Sequence, residues 1–131
     1  MTNKPLVSVV MPCYNHEAFV EEAIRGVLNQ TYENTELIVI DDGSKDNSVM
    51  VIQKLADKYG FVFKYRTNIG LSATLNEAIV LSKGKYISLC ASDDVFMSDK
   101  IQKQVRFMEE NPDYGMCYGK VVCFNESIQN T

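Results

Sequence analysis

Glu36-Leu37-Ile38-Val39-Ile40-Asp41-Asp42-Gly43-Ser44 decides the fold. Its nearly continuous aliphatic run is the pattern of a parallel strand covered by helices on both faces, since a half-exposed strand would alternate apolar with polar. Asp41-Asp42-Gly43-Ser44 ends the run with residues that favour turns and helix caps. One such strand implies neighbours of the same kind, and they are found on either side.

Toward the N-terminus, Leu6-Val7-Ser8-Val9-Val10-Met11 reads as a strand stopped by Pro12, which cannot donate to a ladder. Residues 17–30 carry Val20, Ala23, Ile24, Val27 and Leu28 at helical spacing, with Glu21, Glu22 and Arg25 on the other face and Asn15 as candidate cap. Toward the C-terminus, Val49, Ile52, Leu55, Ala56 and Tyr59 mark a helix started by Ser44 or Asp46 and ended by Gly60. A strand over residues 61–65 follows, then the turn Asn68-Ile69-Gly70-Leu71-Ser72, and a helix with Leu75, Ala78, Ile79 and Leu81 that ends at Gly84. Tyr86-Ile87-Ser88-Leu89-Cys90-Ala91 is the fourth strand and delivers Ser92-Asp93-Asp94 to its C-terminal end. Ser98 caps a last helix with Ile101, Val105 and Met108, which stops near Asn111-Pro112 because proline disfavours helix in its predecessor. Residues 116–124 read as a fifth strand.

Strands alternating with helices predict an α/β, Rossmann-like, mostly parallel sheet with right-handed crossovers and helices on both faces. The 131 residues, 46% hydrophobic and 23% charged, suit one domain with a real core, and residues 1–131 read as a single nucleotide-binding half cut off after about the fifth strand. A net charge of -4 argues against nucleic acid or an anionic membrane as the main partner. The four cysteines, Cys13, Cys90, Cys117 and Cys123, form no CxxC or Cys/His cluster, so free thiols in a reducing, cytoplasmic setting are expected, with neither a zinc site nor a disulfide framework. The apolar run after Met1 is too short for a signal peptide or a membrane span; a peripheral membrane location stays open.

Parallel strands bring three strand ends to one edge: Pro12-Cys13-Tyr14-Asn15, Asp41-Asp42-Gly43-Ser44 and Ser92-Asp93-Asp94. Tyr14 offers a flat face for a base, and Asp42 can accept the imide hydrogen of a pyrimidine such as uracil. Asp93 and Asp94 can meet the ribose and a metal on a diphosphate, because Mg²⁺ or Mn²⁺ takes one or two protein carboxylates and completes its shell with phosphate oxygens and water. Bland readings stand beside these. Asp41 can cap the second helix and Gly70 can be a turn glycine. His16, the single histidine, reads as a surface residue without a partner.

Five stretches in order carry a resemblance: residues 7–15, residues 27–32, residues 36–44, residues 68–72, and Gly84-Lys85-Tyr86-Ile87 with Ser92-Asp93-Asp94. Over nearly its whole length the chain resembles the N-terminal half of a family 2 glycosyltransferase of the GT-A fold. The resemblance implies a nucleobase lined by Pro12 to Tyr14, a uracil edge on Asp42, and a nucleotide site that also takes in Asp41, Asn68, Gly70 and Asp93. It makes Ser92 to Asp94 the DXD motif, with the Mg²⁺ or Mn²⁺ on Asp94 and the ribose near Asp93. It further implies an inverting transfer of a sugar from a nucleotide-diphosphate sugar to a saccharide or lipid-linked saccharide acceptor, commonly for cell-surface polysaccharide. The general base is then a carboxylate beyond the equivalent of Phe124. One departure is plain: many relatives carry Ala-Arg-Asn where this chain has Thr74-Leu75-Asn76, so any nucleotide-positioning arginine is missing there or replaced by another cation.

Two rivals belong to other classes. A phospho-accepting receiver domain also alternates strands and helices but needs an aspartate at the end of its third strand, where this chain has Tyr65-Arg66-Thr67. A non-catalytic module that binds a nucleotide sugar or a protein would use the same pocket for recognition alone.

Overall fold

A computed structural model describes residues 4–123. Four strands, β1 (Val7–Cys13), β2 (Thr35–Asp42), β3 (Val62–Arg66) and β4 (Tyr86–Leu89), alternate with four helices, α1 (Val20–Leu28), α2 (Ser48–Tyr59), α3 (Leu71–Leu81) and α4 (Lys100–Glu110). The strands form one sheet of order β3-β2-β1-β4, and every pairing is parallel.

The period of two in the strands divides the core. Val7, Val9, Met11 and Cys13 of β1 and Leu37 and Val39 of β2 point to one face, where Val20, Ile24 and Val27 of α1, Ile52 and Leu55 of α2, and Ile101 and Val105 of α4 cover them. Val10, Ile38 and Ile40 point to the other face and meet Leu75, Ala78 and Leu81 of α3. Both faces are covered, as the aliphatic run predicts, but three helices serve one side and one serves the other. Ile87 and Leu89 on β4 consequently stay about half exposed.

Four local expectations are corrected. β1 continues through Pro12, which pairs with Ile40. Val10 turns its carbonyl to the Cys90 N–H, and Pro12, two residues on, faces the same side beyond the last β4 pairing, so its missing N–H leaves no ladder bond unmade. Asn15 does not cap α1. It adopts a left-handed φ of 55°, which asparagine tolerates, its Oδ1 accepts from the Lys45 N–H, and α1 begins after Phe19. α2 begins after Asn47, with Asp46 accepting from the Ser48 N–H and hydroxyl instead of Ser44 or Asp46 opening the helix. α4 begins after Asp99, with the Ser98 carbonyl taken by the Thr31 N–H.

The fifth strand is not formed over residues 116–123; Phe124, its expected last residue, lies outside the described residues. Met116, Tyr118, Val121 and Val122 are exposed. A β-rich run becomes a strand only when its N–H and C=O groups find a ladder partner, and this segment passes β4 without pairing to it.

Candidate functional site

The site lies where the strand order reverses. β1, β2 and β3 step outward in one direction, whereas β4 returns to the opposite side of β1, so the crevice beyond the strand ends opens between β1 and β4. The register sets Cys13 beside Asp41 and Val10 beside Leu89, so the three predicted strand ends share one edge. A cleft of about 490 Å³ there is lined by Pro12, Tyr14, Asp42, Asn68, Gly70 and Ser92 among others. A larger groove of about 660 Å³ follows the outer side of β4 past Lys85, Gln104 and Met116. It contains none of the strand-end carboxylates, and it is the smaller cleft that gathers the chemistry.

Asp42 is the most constrained carboxylate in the cleft, only 5% exposed. Its Oδ1 accepts from the Arg66 guanidinium at 2.6 Å and the Ile69 N–H at 2.8 Å, and its Oδ2 accepts from the Gly70 N–H at 3.1 Å. Burial alone would raise this carboxyl, but the Ile69 N–H, the Arg66 guanidinium and the Gly70 N–H together outweigh it and hold Asp42 below the ordinary carboxylate value. An ionised carboxylate has about four acceptor positions, so one remains on Oδ2 for a ligand donor. Asn68 and Gly70 belong to the same wrapping. Asn68 Nδ2 donates to the Asp42 carbonyl at 2.9 Å, and the loop closes over the carboxylate.

Gly43 makes that closure possible. Its φ is +79°, and a Cβ there would lie 2.5 Å from the Asn68 nitrogen, so the Asp42-Gly43 corner admits no side chain. Asp41, by contrast, is fully buried beneath the cleft and does not line it; its oxygens accept from the Ser44 N–H at 2.7 Å and the Ser44 hydroxyl at 2.6 Å. Tyr14 stands at the mouth, 43% exposed, with its ring available to a flat ligand.

Ser92 lines the cleft, whereas Asp93 and Asp94 follow it on a turn outside the lining, closed by the Asp94 N–H donating to the Ala91 carbonyl at 3.1 Å. Ser92 is buried, and both aspartates are exposed. Among the described residues Asp94 makes no salt bridge, and Asp93 faces only His16 Nε2 at 3.9 Å. Two exposed hard-oxygen donors on one turn fit a Mg²⁺ or Mn²⁺ ion that keeps most of its shell for phosphate and water. Among the described residues no group of three or more His, Cys, Asp or Glu could hold an ion.

Two residues of the site escape a linear reading. Arg66, the last residue of β3, is brought beside Asp42 by the β2–β3 register. Its signal was the coincidence of two strand ends, visible only once that register is known. His16 is corrected from an unpartnered surface residue: it is half-buried in the cleft wall, with Nδ1 2.6 Å from Ser92 Oγ. No spacing in the sequence links positions 16 and 92.

The fold and this strand-end cleft define a parallel α/β domain with a candidate ligand site where the strand order reverses. The chain belongs to glycosyl transferase family 2, whose family description matches residues 8–131. It is 43% identical over 111 residues to an uncharacterized glycosyltransferase of Haemophilus influenzae, covering 83% of this chain and 44% of that protein. It is 36% identical over 113 residues to the putative teichuronic acid biosynthesis glycosyltransferase TuaG of Bacillus subtilis, covering 84% of this chain and 45% of that one. Among solved structures, the mannosyltransferase PcManGT from Pyrobaculum calidifontis superposes with a TM-score of 0.74 at 22% identity, over 82% of this chain and 33% of that chain. S. aureus TarS superposes with a TM-score of 0.74 at 24% identity, over 81% and 33%. The fold is therefore that of the GT-A glycosyltransferases, and the chain spans less than half the length of these relatives.

Proposed function

We propose that residues 1–131 are a single nucleotide-diphosphate-sugar-binding domain, the donor half of an inverting, metal-dependent glycosyltransferase that moves a sugar, from a UDP-sugar by preference, to an acceptor hydroxyl in cell-surface polysaccharide synthesis. The observation that carries this reading is the meeting of Tyr14, Asp42 and Ser92 around one cleft at the strand-order reversal, with Asp93 and Asp94 following Ser92 on its exposed turn. In it the base lies on Tyr14 with an imide donor toward Asp42, the ribose meets Asp93, and Asp94 holds Mg²⁺ or Mn²⁺. A bound ion supplies Lewis-acid stabilisation of the charge on the departing diphosphate. The structure of PcManGT holds GDP-Man and Mn²⁺ and one of TarS holds UDP-GlcNAc, which supports a metal and a nucleotide sugar on this fold.

The acceptor, a saccharide or a lipid-linked saccharide, and the general base belong outside these residues, consistent with the share of its relatives that the chain spans. The chain alone then binds donor and transfers sugar poorly. A cytoplasmic location, peripheral to a membrane, fits the buried free thiols Cys13 and Cys90; none of the described helices is long and apolar enough to cross a membrane.

The test is thermal shift with UDP-, dTDP- and GDP-sugars in Mn²⁺, because a ligand that binds only the folded state raises the melting point. Calorimetry on variants follows: Asp94→Ala is expected to remove the Mn²⁺-dependent part of donor binding, and Asp42→Ala to weaken binding with and without the metal. The reading fails if no nucleotide stabilises the chain, and the assignment of the metal to Asp94 fails if both variants keep equal metal dependence.

A further inference from the structure

We propose that His16 is a positioning residue for the donor, whose imidazole sets the Ser92-Asp93-Asp94 turn against the nucleotide cleft. The inference rests on the donor-binding reading above and assigns a task that the reading leaves open: what holds an exposed acidic turn in register with Tyr14 and Asp42.

The backbone around His16 is anchored from one side. The Asn15 N–H donates to Ser44 Oγ at 2.8 Å, the His16 N–H to Ser48 Oγ at 3.1 Å, and the Glu17 N–H to Asp46 Oδ2 at 3.1 Å. These bonds fasten the loop after β1 to the loop after β2. The ring then reaches the other way, toward the turn after β4, where Nδ1 lies 2.6 Å from Ser92 Oγ and Nε2 lies 3.9 Å from Asp93 Oδ2. Phe19 meets the imidazole edge-on at 6.1 Å between centroids. The segment around His16 therefore joins all three strand ends of the site, its backbone reaching the loop after β2 and its ring the turn after β4.

The two contacts also select one tautomer. With the Ser92 hydroxyl donating to Nδ1, the ring proton sits on Nε2 and faces the Asp93 carboxylate, an attractive arrangement. The opposite tautomer would turn a lone pair toward that carboxylate. The hydrogen bond at one nitrogen thus decides what the other presents. Ser92 is only 2% exposed and leaves the ring little room to move, whereas the Asp93 side chain is 48% exposed and has no other partner among the described residues. Without the ring, Asp93 would have to lose rotamer freedom on binding the donor; with it, part of that ordering is already present.

The experiment is calorimetry of UDP and of GDP, each with and without Mn²⁺, on the chain and on His16→Ala, His16→Asn, His16→Leu and Ser92→Ala. His16→Ala is expected to weaken Mn²⁺-dependent nucleotide binding about tenfold, the usual size of effect when a partner orienting a metal-site group is removed, and to weaken metal-free binding less. Asparagine places an amide near the Nδ1 position but does not reach Asp93, so His16→Asn should recover part of the loss; His16→Leu, of similar size without a polar tip, should recover none, and recovery by leucine equal to that by asparagine would show a purely space-filling role and overturn the inference. Should His16→Ala reduce the yield of folded chain, Ser92→Ala removes the same hydrogen bond from the other side and is expected to lower the Mn²⁺-dependent part in the same way. Wild-type affinity in His16→Ala, or equal losses in the alanine and asparagine variants, overturns the inference while leaving the donor-binding reading intact. Absence of Mn²⁺-dependent binding by the unaltered chain to either nucleotide overturns both.

Discussion

Arg66 Nη1 stands 2.6 Å from Asp42 Oδ1, and the two residues face each other across the last rung of the β2–β3 ladder. The same guanidinium reaches Glu77 at 3.0 Å and Thr74 Oγ1 at 3.1 Å, both on α3. Arg66 thereby ties two strand ends to the helix behind the cleft, and it supplies a cation beside Asp42 although position 75 is leucine.

Replacing Arg66 with methionine keeps the aliphatic stem and leaves Asp42 with two backbone donors and no countercharge. Removing one partner of a buried pair strands the other, so Arg66→Met is expected to lower stability by about 3 kcal/mol. Urea unfolding measures this. A loss below about 0.5 kcal/mol, the range of ordinary surface substitutions, would show that Arg66 does not hold the corner.

Acid should act on the same corner. Asp42 is held below its ordinary value of 3.8, burial opposing and the Ile69, Arg66 and Gly70 donors prevailing. Asp46 is also held low, burial again opposing while the Ser48 hydroxyl, the Ser48 N–H and the Glu17 N–H prevail. The unfolded chain therefore binds more protons than the folded one at acid pH, and stability rises with pH there. The contribution is fully present above 3.8 and is lost as pH falls through the lower folded values. Urea midpoints measured down that range should drop, and Asp42→Asn should drop less steeply than the unaltered chain.

Gly43 and Gly60 separate two causes of glycine preference. Both have φ near +80°, at +79° and +81°, but a Cβ on Gly60 meets nothing within 4 Å, whereas one on Gly43 meets the Asn68 backbone. Gly60→Ala should cost about 1 kcal/mol for the left-handed conformation alone. Gly43→Ala should cost more and also weaken nucleotide binding, because Asn68 must move away from Asp42. Equal losses in the two variants, read by urea unfolding, would mean that the close approach at Gly43 carries no weight.

The class of fold was legible in residues 36–40, and the carboxylates of the site in the turns that end the strands. Both are local facts: a two-sided aliphatic run has one way to bury itself, and turn residues report where each strand stops. From these, with parallel order, the convergence of Tyr14, Asp42 and Asp93 on one edge follows. The partners of those residues were not legible. Arg66 meets Asp42 because of a ladder register, and His16 meets Ser92 across 76 positions because β4 returns to the far side of β1. The segment over 116–123 has the composition of a strand and is not one, because a strand depends on an edge that takes it up as well as on its own residues. Local chemistry determined which groups this protein presents; only the packing of distant segments decided which of them touch.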